Sequence, residues 1–451
     1  MSYENGTCVA ANVNGLKTKH ELATARVLYM NWNGLFAQRT EQMKRTAVRE
    51  LLKVAARPEI ISFGGGLPAA ELFPLERVKQ ATERVFERAG ASSLQYGETE
   101  GLAGLRDWLA AEFCRRPLVG RGEDVPAALS LGPENILITS GAQQALDLIG
   151  RIFLEAGDCV VVENPTYLAL LSAWRPHGVR FLPVSSDEHG MRTEELGRLQ
   201  SRPKLIYLTP NFQNPQGTTL TLERRQQLLR FAEEVGAGIV EDNPYGDLRY
   251  SGEGLPHLLS LEPGRPQSVI YVGSFSKVLM PGLRVGWVIA APEVIEKLVH
   301  AKQAADLQTN SLGQHIVLEL LQQGFLGEFL PVLKANYQRR REAMLEALEE
   351  CFPTGVSWTR PEGGMFLMAK VPSVDTTALL PRALQQGVAY VPGEEFHLDG
   401  GGRDTMRLNF SNARPEQIET GIARLGRLLA EETRVHVRKS NVAVAEAAGT
   451  S

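Results

Sequence analysis

Continuous apolar runs of four to six residues recur along the chain, separated by stretches whose apolar positions follow a helical spacing. Seven runs read as strands: 135–139, 159–163, 179–184, 204–208, 238–242, 268–272 and 285–290. Bounded apolar runs of this length are the mark of buried strands. After the first of them, residues 142–157 carry apolar side chains at 145, 146, 149, 152 and 153, one face of a helix. Strands alternating with helices predict an α/β domain around a mostly parallel sheet. Beyond about residue 310 one long helical stretch is expected, running to the Phe352-Pro353 pair. A smaller α+β portion follows, with GGMFLMAKV (363–371) and TMRLNFS (405–411) as strands.

The expected organisation is an N-terminal segment over 1–62, a large domain over 63–322, a small domain over 323–435 and a loose tail over 436–451. The N-terminal segment contains one helical stretch, TEQMKRTAVRELLKVAA (40–56). The tail is assigned from its small, polar and Ala/Val-rich composition. No internal repeat is present.

Charge and composition narrow the function. Lys and Arg number 48 against 52 Asp and Glu, so no basic excess points to nucleic acid. No uncharged apolar run approaches the length of a membrane span, and the N-terminus lacks the pattern of a secretory signal. Cys8, Cys114, Cys159 and Cys351 are scattered without a CxxC pair, the usage expected of reduced thiols in the cytoplasm. The eight histidines show no ligand spacing, and no metal is assigned. Neither G-x-G-x-x-G after a strand nor G-x-x-x-x-G-K-[ST] occurs, so nucleotide readings have no support.

In open α/β sheets, ligands bind beyond the carboxyl ends of the strands. Five predicted strand ends carry polar groups. Ser140-Gly141-Ala142-Gln143 follows the first strand and opens a helix, an arrangement suited to phosphate. Asn164-Pro165-Thr166-Tyr167 follows the second, and Asn214-Pro215 lies beyond 204–208. Asp242 ends the next strand, with Tyr245 close behind, and Ser274-Phe275-Ser276-Lys277 follows 268–272. Lys277 lies between two apolar runs, where burial lowers an amine's pKa and makes it a nucleophile. Arg284 comes seven residues later. Each group also has a bland reading as turn, cap or core. Ser274-Phe275-Ser276-Lys277 matches the acyl-enzyme motif S-x-x-K as well, but K-T-G and S-D-N partners are absent in usable positions.

The chain resembles the fold-type I enzymes that use pyridoxal 5'-phosphate (PLP), and among them the class I aminotransferases of the 2-aminoadipate/kynurenine type. The resemblance rests on ISFGGGLPAAELFP, LQYGETEGLAGLRDWLA, ILITSGAQQALDLIGRIFLEAGDCVVVENPTY, YLTPNFQNPQGTTL, EDNPYGDLRY, GSFSKVLMPGLRVGW, PEGGMFLMAKV and MRLNFS, in order from residue 61 to about 412. It implies a mostly parallel seven-stranded sheet flanked by helices, with a smaller α+β C-terminal domain. It also implies ping-pong transfer of an amino group between an L-amino acid and a 2-oxo acid, 2-oxoglutarate being the expected acceptor. The donor range implied is broad: 2-aminoadipate, aromatic or branched-chain amino acids. A PLP-dependent decarboxylase or lyase on the same fold is the alternative, and an aminotransferase-like regulatory protein a remote one.

The resemblance also implies roles. Lys277 would bond the PLP aldehyde and then move the substrate α-proton. Asp242 would pair with the ring nitrogen, Asn214 and Tyr245 would bond the 3′ oxygen, and Tyr167 would stack on the ring. Ser140, Gly141, Ala142, Gln143, Ser274, Ser276 and Arg284 would hold the cofactor, chiefly at its phosphate. Arg407, helped by Asn214, would clamp the substrate α-carboxylate, with Gly66 close to the substrate. Tyr96 would reach the active site of a neighbouring subunit, which implies a homodimer with shared sites. In related enzymes an arginine of the N-terminal segment reads an acidic side chain, whereas Gln42 stands near the aligned place here. Arg39, Lys44, Arg45 and Arg49 are the nearby cations.

Overall fold

In the computed structural model, residues 30–43, 57, 59–115 and 129–448 are described, the side chains only as far as 433. Most of the expected N-terminal helix, with Lys44, Arg45 and Arg49, lies outside the described residues. So do Cys8 and the last three residues.

All seven expected strands form. They are β2 (Ile136–Thr139), β3 (Cys159–Asn164), β4 (Arg180–Asp187), β6 (Leu205–Leu208), β7 (Gly238–Asp242), β8 (Val269–Ser274) and β9 (Gly286–Ile289), β1 being a short strand at Ile61–Ser62. An eighth member, β5 (Gly190–Met191), makes the sheet one strand wider than expected, in the order β2-β9-β8-β7-β6-β3-β4-β5. Two residues turning back antiparallel on β4 leave no readable apolar period, which is why the sequence hides this edge. The central neighbours β4-β3-β6-β7-β8 pair in parallel. β9 runs antiparallel between β8 and β2. Both faces are covered: side chains such as Ile138, Ile206 and Ile239 join one apolar core, and Leu137, Tyr207 and Val240 join the other. Tyr207 and Trp174 meet edge to face at 5.9 Å in the second core.

A second sheet follows, β10 (Ser357–Trp358), β11 (Phe366–Lys370), β14 (Thr405–Asn409) and β13 (Val391–Pro392), antiparallel throughout. It encloses its own core, to which Phe63 belongs, and β1 pairs with β12 (Val388–Ala389) alongside it.

The expected long helix is two helices, Ser311–Gln322 and Phe325–Cys351, bent by 88° at the break. Gly324 makes the bend with φ +71°, a left-handed conformation that favours glycine. The second helix begins in the large core with Phe325, Phe329 and Tyr337 and ends in the small core with Met344 and Leu348. The expected division at 322/323 falls at the break between the two helices, and the second helix passes from the large core into the small one. Where a loose tail was expected from 436, the final helix Pro415–Ala448 continues to its last residue. The alanines that suggested a tail are the best helix formers.

Arg225, fully buried, shapes the loop that leaves β6. It donates to the carbonyls of Leu220 (2.9 Å), Pro256 (2.8 Å) and Pro210 (3.1 Å) and to Asn211 Oδ1 (2.7 Å). Replacing it by methionine leaves three buried acceptors without a donor, since the Pro210 carbonyl keeps the Leu220 amide (2.8 Å), at about 1–3 kcal/mol each before relaxation. Arg225→Met is expected to lower unfolding stability by at least ~3 kcal/mol, read as a lower urea midpoint. An unchanged midpoint would show that water replaces these bonds.

Candidate active site

One cavity of about 710 Å³ opens beyond the carboxyl ends of the parallel strands. The fold brings Gly66, Ala142, Gln143, Tyr167, Asn214, Asp242, Tyr245, Ser274, Ser276, Lys277, Arg284 and Arg407 to its walls. Gly141 borders it through Arg284. Two expected residues are elsewhere. The Ser140 hydroxyl turns away and donates to Asp306 Oδ2 at 3.2 Å. Tyr96 is 78% exposed and does not line its own chain's cavity.

Asp242 ends β7, 3% exposed. Its Oδ2 accepts a hydrogen bond from Tyr207 Oη at 2.7 Å, while Oδ1 is buried without a partner. Burial pushes its pKa up to about 7, against the lowering effect of the Tyr207 bond. A buried carboxylate oxygen left unpaired is costly, so Oδ1 calls for a donor from the cavity. Glu163, beneath the same floor, accepts from the Thr209 amide at 2.9 Å and is raised to about 8 by burial.

Lys277 follows β8, half-buried, and its Nζ donates to the Gly66 carbonyl at 2.8 Å. Burial first, then the charges of Arg407 and Arg284, pull its pKa down to about 8. A neutral amine is thus within reach near neutral pH. Gly66 packs so closely that an added Cβ would sit 2.9 Å from Phe366 Cζ.

Arg284 has φ +55°, a sparsely populated conformation for a side-chain-bearing residue. Its guanidinium donates to the carbonyls of Ser140 (2.8 Å) and Pro281 (3.5 Å) and forms no ion pair with a described carboxylate. It closes over Gly141, where φ is +87° and a Cβ would meet Arg284 Nη2 at 2.7 Å. The first N–H groups of helix Ala142–Phe153 open beside it without intrahelical partners.

Arg407, on β14, is 5% exposed. It donates to Asn214 Oδ1 (2.7 Å) and the Gly64 carbonyl (2.6 Å) and lies over the rings of Phe366 (4.3 Å) and Phe396 (5.0 Å). Burial draws its pKa down to about 10. Tyr245 meets Phe366 edge to face at 5.8 Å, and burial raises its phenol pKa. The phenol of Tyr167, a half-buried residue, is pushed up to about 12, chiefly by desolvation.

Sequence reasoning missed Tyr207, Thr209, Phe366 and Phe396. The one available signal was a tyrosine in the otherwise aliphatic β6, since a buried Tyr hydroxyl needs a partner.

Comparison with known proteins agrees with this geometry. Residues 58–425 match the family described as Aminotransferase class I and II. The chain belongs to that family. It is 43% identical over 426 residues to an aromatic-amino-acid aminotransferase of Thermococcus litoralis, covering 92% of this chain and 98% of that one. Two solved structures are similar at 41% identity. The kynurenine aminotransferase of Pyrococcus horikoshii has a TM-score of 0.82, with 89% of this chain and 98% of that chain covered. The α-aminoadipate aminotransferase of Thermus thermophilus, complexed with N-(5'-phosphopyridoxyl)-L-leucine, has a TM-score of 0.81, with 90% and 100% covered. The protein is thus an aminotransferase of fold type I, a PLP-dependent enzyme.

The cavity fits that cofactor on its own terms. The unpaired Asp242 oxygen suits a ring N–H, the Gly141–Arg284 cradle suits a phosphate, and the Lys277 amine suits an aldehyde.

The cofactor-free protein carries a pH signature. Asp242 releases its proton near 3.8 when unfolded and near 7 when folded. Between those values the folded state holds more protons, so this group's contribution to stability falls as pH rises through the window. Asp242→Asn removes the penalty. It is expected to raise the melting temperature of the cofactor-free protein at about pH 8 and to leave it unchanged at about pH 4. An equal shift at both values would mean that Asp242 does not titrate in this range.

Proposed function

We propose that Lys277, Asp242, Asn214, Tyr245, Arg284 and Arg407 are the working residues of this aminotransferase. The carrying observation is that the cavity sets three cations, Lys277, Arg284 and Arg407, around a single carboxylate, Asp242, one oxygen of which is buried without a partner. Such a site takes an anionic ligand at two ends, a phosphate at Arg284 and a carboxylate at Arg407.

PLP, when bound, supplies the aldehyde that receives the amino group and a ring that withdraws electrons from the substrate Cα. Asp242 holds a proton on the ring nitrogen, with Tyr207 fixing the carboxylate. Asn214 and Tyr245 bond the ring oxygen, and Tyr167 covers the ring. Arg284, Ser274 and Ser276, with the first amides of helix Ala142–Phe153, hold the phosphate. Arg407 holds the substrate α-carboxylate through its forked donors. Lys277 Nζ, freed from the aldehyde carbon by the incoming amine, would take the proton from the substrate Cα and return it to that former aldehyde carbon, the reverse transfer serving the 2-oxo acid.

The substrate side of the cavity carries Met43, Leu168, Phe366 and Phe396, an apolar lining suited to aromatic or branched side chains. The relatives are named for aromatic amino acids, kynurenine and α-aminoadipate. We infer a broad donor range with 2-oxoglutarate as the acceptor, the two substrates using one site in turn. No fourth cation lines the cavity among the described residues. Arg39 and Gln42 are exposed on the short helix Gln38–Gln42, just before Met43. The exposed Tyr96 is placed in a partner subunit's site, and the enzyme is a homodimer in this reading. Among the described residues no single helix is long and apolar enough to cross a membrane, and Cys114, Cys159 and Cys351 are free thiols. A cytoplasmic enzyme accords with both. Nothing in the site favours a decarboxylase.

Borohydride reduction of the holoenzyme is expected to fix the cofactor on Lys277, identified by peptide mass mapping, and Lys277→Ala to abolish turnover. Label on a different lysine would refute the assignment. Arg407→Ala is expected to lower kcat/KM about 100- to 1000-fold for every amino donor and 2-oxo acid alike, as for a lost buried charge pair. A loss confined to one substrate would place the α-carboxylate elsewhere.

A further inference from the structure

Behind the Ser140–Gly141 turn, outside the cavity, sits a lysine with no exposed surface. Lys302, on helix Pro292–Asp306, donates from Nζ to Asp306 Oδ1 (2.8 Å), Asp306 Oδ2 (3.0 Å) and Gln144 Oε1 (2.9 Å). Gln144 Oε1 also accepts from the Ser140 amide at 2.8 Å, and Gln144 Nε2 donates to Asp306 Oδ2 at 2.6 Å. The Ser140 hydroxyl donates to Asp306 Oδ2, and the Ser140 carbonyl accepts from Arg284. All three polar groups of Ser140 are therefore held, two of them by this cluster.

Stability alone does not account for the cluster. A buried ion pair rarely adds stability over apolar packing of the same volume. Asp306 is also the last residue of its helix, where the dipole disfavours a carboxylate. The same helix end anchors neighbouring segments. Leu307, with φ +64°, turns the chain sharply after Asp306. Gln308 Oε1 then accepts from the Gly97 amide, Ser311 Oγ donates to the Gln95 carbonyl at 3.0 Å, and Thr309 Oγ1 donates to the Ile138 carbonyl at 3.2 Å. Ile138 leads into the Ser140 turn, and residues 95–97 flank Tyr96.

We propose that Lys302 and Asp306 are positioning residues. They orient the Ser140–Gly141 turn so that Arg284 and the start of helix Ala142–Phe153 converge on the cofactor phosphate, and they join that turn to the segment bearing Tyr96. Neither touches the cofactor. The proposal rests on the PLP reading above.

Titrating cofactor-free protein with PLP and, separately, with pyridoxal, which lacks the phosphate, tests it. The wild type is expected to prefer PLP strongly. In Lys302→Met the preference is expected to shrink about 10-fold or more, the scale of a lost charge-assisted bond, with pyridoxal affinity unchanged. A merely structural role would weaken both ligands alike. That result, or an unaltered preference, overturns the positioning role and leaves the cofactor reading standing. A wild type that does not discriminate the two ligands overturns both. If Lys302→Met does not fold, Gln144→Leu, which deletes the bond to the Ser140 amide, is put through the same titrations with the same expected loss.

Discussion

The site depends on one carboxylate held at the end of a buried strand. Asp242 is fixed by the Tyr207 hydroxyl on one oxygen and left with the other buried and unpaired at the cavity wall. Everything that makes this placement expensive also makes it useful. Burial favours the neutral acid, a hydrogen-bonding cation from the ligand favours the ionised form, and the balance is decided only when the cofactor is present. Tyr207 comes from β6 and Asp242 from β7, so parallel pairing of two strands sets the geometry before any loop contributes.

The cations are arranged on a complementary principle. Lys277, Arg284 and Arg407 share one cavity and form no ion pair with a described carboxylate; each donates to backbone carbonyls, Gly66, Ser140 with Pro281, and Gly64, and Arg407 keeps a buried Nε without a partner. Carbonyls stabilise a guanidinium or ammonium without cancelling its charge. The field remains available to an incoming phosphate or carboxylate, and mutual repulsion among the cations keeps the lysine amine easier to deprotonate.

Much of this was legible beforehand, for physical reasons that differ by residue. The seven long strands read clearly because strands covered on both faces are apolar throughout. Lys277, Asp242 and Arg284 stood out because polar groups gathered at the ends of apolar runs are rarely placed there without purpose, whereas Arg407 came only with the family resemblance. β5 was invisible because two residues carry no period, and the break at Gly324 because one glycine interrupts an otherwise helical pattern. Phe366 and Phe396 carried no signal, since a ring that stacks on a guanidinium and one that only packs have the same sequence signature. The direction of the Ser140 hydroxyl was hidden because its partner, Asp306, lies 166 residues away. Contacts at that range are set by the packing of one helix on another, which no local spacing announces.

The sandwich of Arg407 between Phe366 and Phe396 has a consequence for selectivity. A surface arginine loses most of its rotameric freedom when it grips an anion. Here that loss is incurred during folding, and the fork already points one way when a substrate arrives. In the proposed role, the grip on an α-carboxylate is then nearly independent of whatever else the molecule carries. A rigid handle of this kind lets two dissimilar acids succeed one another in a single pocket, because neither has to rebuild the handle after the other leaves.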